Sequence, residues 1–133
     1  MKKIHVTVVD DNAIFRTLIQ YMLQHFDDAT VQVTLLEDGA EAMEHFQKHG
    51  AIDIDIPHIL FLDIDMPFMT GWEFLDVMEG ESVLKQTEIY ILSSSISTAD
   101  EQRSKNYGYI RDYLRKPIDK QDLFAILRKH LNL

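Results

Sequence analysis

The stretch His58-Ile59-Leu60-Phe61-Leu62-Asp63-Ile64-Asp65-Met66-Pro67-Phe68-Met69-Thr70-Gly71 decides how the rest of the chain is read. From His58 to Leu62 there is none of the polar alternation of a half-exposed strand, which suits a central parallel strand covered by helices on both faces. Asp63 ends that run. Pro67 cannot donate a ladder hydrogen bond and Gly71 tolerates positive φ, so the chain is expected to leave the sheet after Asp63 and turn before Trp72. A carboxylate is thereby held at a strand's carboxyl end, the edge at which open α/β sheets bind their ligands.

Working outward, the same pattern recurs on both sides. Ile4 to Val9 is β-branched apart from His5 and ends at Asp10-Asp11. Asn12 is placed to cap a helix whose apolar residues Ile14, Phe15, Leu18, Ile19, Met22, Leu23 and Phe26 share one face. Val31 to Leu36 reads as a second strand, and Ala42, Met43 and Phe46 mark a short helix closing near Gly50. Ala51 to Pro57 alternates Ile with Asp, but its acids and terminal proline predict an acidic loop or edge insertion. Trp72, Phe74, Leu75 and Met78 give a third helix fading at Gly80. Glu88 to Leu92 is a fourth strand, followed by Ser93-Ser94-Ser95. Thr98 with Glu101 three residues on predicts a capping box and a polar fourth helix, the least buried, running to about Tyr107. Ile110 to Arg115 is a fifth strand closed by Lys116-Pro117, and Asp119 caps a last helix with Leu123, Phe124, Ile126, Leu127 and Leu131 in one stripe.

The reading is therefore an α/β chain with βα repeated five times, over a length of 133 residues that suits one domain, 1–133. The 46% of hydrophobic residues is enough to fill one core. With 22 acidic against 13 basic residues and a formal charge of −9, the chain lacks the basic face needed to grip nucleic acid or anionic lipid, so direct DNA binding and membrane association are not expected. The absence of cysteine removes disulfide and thiolate chemistry and fits a reducing compartment. The start, Met-Lys-Lys-Ile-His-Val, lacks the long apolar core of a signal peptide, and a cytoplasmic protein is the expectation. The six histidines show no metal-ligand spacing and are expected at the surface.

Three strands end in polar groups, Asp10-Asp11, Asp63 and Ser93, and Lys116 ends a fourth. In a parallel sheet all of them gather on one rim. Three crowded carboxylates repel unless a cation joins them, and a hard, oxygen-loving ion such as Mg²⁺ is the usual resolution. A lysine ammonium and a serine hydroxyl beside them are what a phosphoryl group needs. Asp63 is then a carboxylate nucleophile that forms an acyl phosphate.

These residues as a set resemble the receiver domains of bacterial two-component response regulators, of the chemotaxis-regulator-like type. The resemblance is carried by Asp10-Asp11 after the first strand, Asp63 followed by Met66-Pro67 and Gly71, Ser93-Ser94 after the fourth, and Tyr113 three residues before Lys116-Pro117, and it covers nearly the whole chain. It implies a flavodoxin-like, doubly wound sheet of order 2-1-3-4-5. It implies Asp63 as phosphoacceptor, Asp10 (directly or through water) and Asp11 as Mg²⁺ ligands, and the backbone carbonyl of Asp65 completing the coordination. Ser93 and Lys116 would bind the phosphoryl group. Ser93 and Tyr113 would form the switch pair that remodels the face of helix four, strand five and helix five. The implied partners are a sensor histidine kinase or a histidine phosphotransfer protein upstream and an unspecified protein target downstream, with a phosphorylation-dependent dimer allowed. The chain ends at Leu133 without an effector segment, so the implied type is a stand-alone regulator or phosphorelay intermediate, a phosphoacceptor that promotes only its own phosphorylation and dephosphorylation.

Some features depart from the family's common pattern. Ser93 stands where threonine is frequent, and Asn106 to Asp112 lacks the usual Gly-Ala step, which predicts an irregular end to helix four. Asp65 and Ser95 lie where they would tune acyl phosphate hydrolysis. Two rival readings remain. Asp63-Ile64-Asp65 reproduces the nucleophile-x-acid spacing of haloacid-dehalogenase-like phosphohydrolases, but there the motif follows the first strand. The other rival is a receiver-like docking module that acts without phosphorylation.

Overall fold

The computed structural model describes residues 2–49, 56–79, 81–95 and 97–133. In chain order they form β1 (Lys3–Val9), α1 (Ala13–Gln24), β2 (Thr30–Leu36), α2 (Gly39–His49), β3 (Ile59–Asp63), α3 (Gly71–Met78), β4 (Glu88–Ser93), α4 (Thr98–Ser104), β5 (Ile110–Arg115) and α5 (Lys120–His130). A 3₁₀ turn, Ser82–Leu84, precedes β4 and has no counterpart in the periodicity. The five strands are parallel in the order β2-β1-β3-β4-β5, a doubly wound, flavodoxin-like α/β sheet with five helices.

β3 sits at the centre because every one of its residues is buried. Ile59 and Phe61 point to the face covered by α1 and α5, where they meet Phe15, Ile19, Leu23, Leu123, Phe124 and Leu127. Leu60 and Leu62 point to the opposite face, against Phe46 of α2 and Phe74 and Leu75 of α3. Each such side chain stabilises the fold by about 1.5–3 kcal/mol relative to exposure. The unbroken apolar run of the sequence is the signature of this two-sided burial.

Register then aligns the strand ends. Val9 lies beside Leu62, Asp63 beside Leu92 and Ser93 beside Arg115, so the residues just beyond these pairs share one rim. Asn12 caps α1 as expected, accepting from the N–H groups of Ile14 and Phe15, and Asp119 caps α5 by accepting from Asp122. α3 starts from a capping box in which Thr70 and Glu73 satisfy each other's backbone N–H groups. The Thr-x-x-Glu signal for that box, Thr70 to Glu73, is present in the sequence.

Three local expectations change. α4 is capped by Ser97, whose hydroxyl accepts from the Asp100 N–H, and Thr98 is the first helical residue instead of the cap. Both hydroxyls precede an acid three residues later, so spacing alone does not choose between them. α4 is also shorter than expected, ending at Ser104, its one buried residue. The segment after it is irregular, as the missing Gly-Ala step suggested, with a register shift between Ile89 and Tyr90 where β4 meets β5. His5 is buried, 5% exposed, with Nε2 3.0 Å from Thr34 Oγ1, because β1 is an inner strand flanked by β2 and β3. Of the predicted acidic insertion, Ala51 to Asp55 lie outside the described residues, and Ile56 and Pro57 are irregular.

The turn after β3 differs in mechanism from the expectation. No described glycine has positive φ; the left-handed residue is Phe68, at φ 67°. Met69 N–H donates to the Pro67 carbonyl at 2.7 Å, closing a three-residue γ-turn around Phe68. The Phe68 side chain is 97% exposed and contributes no burial that would offset this conformation. Phe68→Gly is therefore expected to raise stability by about 0.5–1 kcal/mol, checked by urea unfolding. A loss of stability would mean that the ring makes a contact this geometry does not contain.

Candidate functional site

The site forms at the carboxyl ends of β1, β3 and β4 and just after β5. Asp10 follows β1 and is completely buried. Its Oδ1 accepts from the Asn12 N–H at 2.9 Å, and its own carbonyl accepts from Arg16 Nη1 at 2.7 Å. Arg16 also reaches Glu37 at 3.7 Å, so the turn between β1 and α1 is held by its side chain as well as by the Asn12 cap. Asp11 beside it is exposed.

Asp63 is the last residue of β3 and only 2% exposed. Its Oδ1 accepts from the Asp65 N–H at 3.2 Å. Lys116 Nζ donates to Asp10 Oδ2 at 2.8 Å and lies 3.7 Å from Asp63 Oδ2, so one ammonium bridges two buried carboxylates. Asp10 and Lys116 are 106 residues apart in the chain. Lys116 joins Pro117 through a cis peptide bond, and its N–H donates to the Ser93 carbonyl at 2.8 Å, fixing the end of β5 against the end of β4.

Burial pushes the Asp63 carboxyl up to about 7 from its ordinary value of 3.8. The Asp10 charge adds to the rise, Lys116 and the Asp65 N–H oppose it, and a hydrogen bond with Asp11 raises it further. A single lysine thus fails to balance the acids. Carboxylate oxygens of Asp10, Asp11 and Asp63 all lie within 4.8 Å of one another, the only such cluster among the described residues. All-oxygen donors, excess negative charge and one open, exposed member fit a hard divalent cation better than zinc or copper.

Ser93 ends β4 fully buried, and its Oγ accepts from the Ser95 N–H at 3.0 Å. Tyr113, half-buried on β5, directs its hydroxyl to the Ser95 carbonyl at 3.5 Å. Ser93 and Tyr113 therefore meet through one residue, Ser95. The structure brings together Asp10, Asp11, Asp63 and Lys116, sets Ser93 on the same rim, and places Asp65 in the loop directly after Asp63. The sequence reading missed Arg16 and Phe15. Arg16 was visible as a lone cation one helical turn beyond the acidic pair. Phe15 was read only as core, and its ring proves to lie 4.9 Å from Lys116 Nζ.

Among the described residues no helix is long and apolar enough to cross a membrane. The family model of the response regulator receiver domain matches residues 6–128. The chain is similar to two-component response regulator ORR3 of Oryza sativa subsp. indica, 29% identical over 125 residues that cover 94% of this chain and 88% of the relative. It is likewise 29% identical to response regulator ORR4 of the same subspecies, covering 97% of this chain and 60% of that protein's length. Among solved structures, chemotaxis response regulator CheY4 of Vibrio cholerae superposes with a TM-score of 0.76 at 31% identity, covering 98% of both chains. The family match thus runs from inside β1 to inside α5 and takes in every residue of the rim, and the chain belongs to the response regulator receiver domain family of two-component systems.

Proposed function

We propose that Asp63 takes a phosphoryl group from a phosphohistidine on a sensor histidine kinase or histidine phosphotransfer protein, within one receiver unit spanning 1–133. The observation that carries this reading is the buried Asp63 carboxylate, sharing the Lys116 ammonium with Asp10 at the sheet's ligand-binding edge. In the transfer an Asp63 oxygen bonds to phosphorus while the phosphorus–nitrogen bond of the donor breaks, and the imidazole leaves with its electron pair. Lys116 supplies positive charge where the equatorial oxygens gather, and the Ser93 hydroxyl supplies a donor to them. Asp10, Asp11, Asp63 and the Asp65 carbonyl would hold Mg²⁺. When bound, that ion neutralises charge on the acids and on the transferring group.

Ser93 now accepts from the Ser95 N–H, and Tyr113 donates to the Ser95 carbonyl. A phosphoryl group that draws the Ser93 hydroxyl inward removes the partner of the Ser95 N–H, and Tyr113 is connected to the same residue. This is a charge change acting on a surface element, and the face made by α4, β5 and α5 is the one it would alter for a downstream protein or a second copy. The chain would act only on itself, as phosphoacceptor and in losing the group. A cytoplasmic location follows from a kinase donor, and the charge of −9 supports protein partners over DNA.

Intact mass after incubation with acetyl phosphate and Mg²⁺ tests the reading. One Mg²⁺-dependent adduct, labile to hydroxylamine and absent from Asp63→Asn, is the expected result. No adduct, together with no response to beryllofluoride, would favour the docking module, and rapid turnover of unrelated phosphate esters would favour a phosphohydrolase.

A further inference from the structure

Lys116 has a third neighbour besides the two acids. Its Nζ stands 4.9 Å from the centroid of the Phe15 ring. Phe15 is 7% exposed and the Lys116 side chain 13%, so the pair meets away from bulk water, where attraction between an ammonium and an aromatic face is strongest. The stack of Arg128 on Phe26 and Phe124, by contrast, involves a cation whose side chain is 48% exposed.

Phe15 is held firmly. Its N–H is bound by the Asn12 cap, its ring belongs to the core between α1 and α5, and its neighbour Arg16 is tied to the Asp10 carbonyl. Lys116 carries its charge on a flexible four-carbon stem that has lost freedom to sit here. Asp10 and Asp63 attract the ammonium from the acid side, and the Phe15 ring offers it a second attractive surface.

We infer that Phe15 is a positioning residue for phosphoryl transfer to Asp63, its ring face holding the Lys116 ammonium where the incoming phosphoryl oxygens require it. The inference rests on the reading of Asp63 as phosphoacceptor. An aliphatic residue at position 15 would fill comparable space but carries no negative π face, so the ammonium would have to be ordered during the reaction instead of before it.

The test compares initial rates of phosphorylation by acetyl phosphate at saturating Mg²⁺, read by intact mass, with thermal melting to establish that each protein is folded. Phe15→Leu is expected to slow the reaction about fivefold, and Phe15→Tyr, which keeps the ring, to stay within about twofold of the wild type. If Phe15 acts through the lysine, Phe15→Leu added to Lys116→Gln causes no further slowing. A slowing of equal size in both backgrounds, or a wild-type rate in Phe15→Leu, overturns the inference. Phe15→Met replaces the leucine variant if the latter melts below the assay temperature. A wild type that takes no phosphoryl group overturns the phosphoacceptor reading itself, and that result is seen before any Phe15 variant is compared.

Discussion

Asp63→Asn is expected to take no phosphoryl group and, in metal-free buffer at pH 8, to be more stable than the wild type. The second result follows from the electrostatics of the site. In the folded protein the Asp63 carboxyl is raised from 3.8 to about 7, chiefly by burial and next by Asp10. Folding therefore favours the protonated form. Below about pH 4 the acid is protonated folded and unfolded alike, and its contribution is fully present. As pH rises through 4 to 7 the unfolded chain gives up the proton first, and stability is lost until the folded group ionises near 7. The separation corresponds to on the order of 4 kcal/mol. Asparagine does not titrate and keeps an oxygen to accept the Asp65 N–H, and the attraction of Lys116 is already contained in the raised value, so a net gain on the order of 4 kcal/mol at pH 8 is expected, shrinking toward zero at pH 4. Urea unfolding of both proteins in EDTA across that range measures it. Adding Mg²⁺ should stabilise the wild type more than the variant. A difference that does not change with pH would count against a raised Asp63 carboxyl.

Gly71→Ala is expected to cost about 3 kcal/mol and to slow phosphorylation of whatever remains folded. A Cβ at Gly71 would lie 2.6 Å from the Asp63 carbonyl oxygen and 2.9 Å from Ile64 Cα, both backbone atoms that cannot swing aside. The Gly71 N–H also donates to the Ile64 carbonyl at 3.1 Å, so the start of α3 is fastened directly beneath the end of β3. Relieving the clash requires moving either the helix or Asp63 itself. Gly108→Ala is the control, since a Cβ there meets nothing within 4 Å, and it should change stability by less than about 0.5 kcal/mol. Thermal melting of the two variants separates the cases. Near-wild-type stability in Gly71→Ala would show that β3 and α3 are not packed as closely as described.

The glycine shows where sequence reading reached its limit. Its position between β3 and α3 was evident from the chain, and positive φ was the reason expected. The structure assigns positive φ to Phe68 and gives Gly71 a different task, close approach of two backbones, which sequence cannot express because the other backbone belongs to an earlier turn of the chain. The α4 cap repeats this on a smaller scale, since Ser97 and Thr98 each satisfy the local rule and the folded chain uses Ser97. His5 is expected at the surface when the histidines are taken together, although its own strand carries the pattern of a buried one, and the strand order buries it.

By itself the sequence determined the alternation of strands and helices, the caps at Asn12 and Asp119, and the polar residues at the strand ends. These depend on periods of two and 3.6 residues and on hydrogen bonds within one turn, all written locally. The sheet order was read only through resemblance to a family. Tertiary structure alone decided which charges meet. It set Lys116 2.8 Å from Asp10 and 3.7 Å from Asp63, laid the Phe15 ring against the lysine, and buried Asp63 deeply enough to hold its proton near neutral pH. Coulomb attraction and desolvation depend on distance and burial in space, and those are fixed only when strands distant in the chain pair side by side.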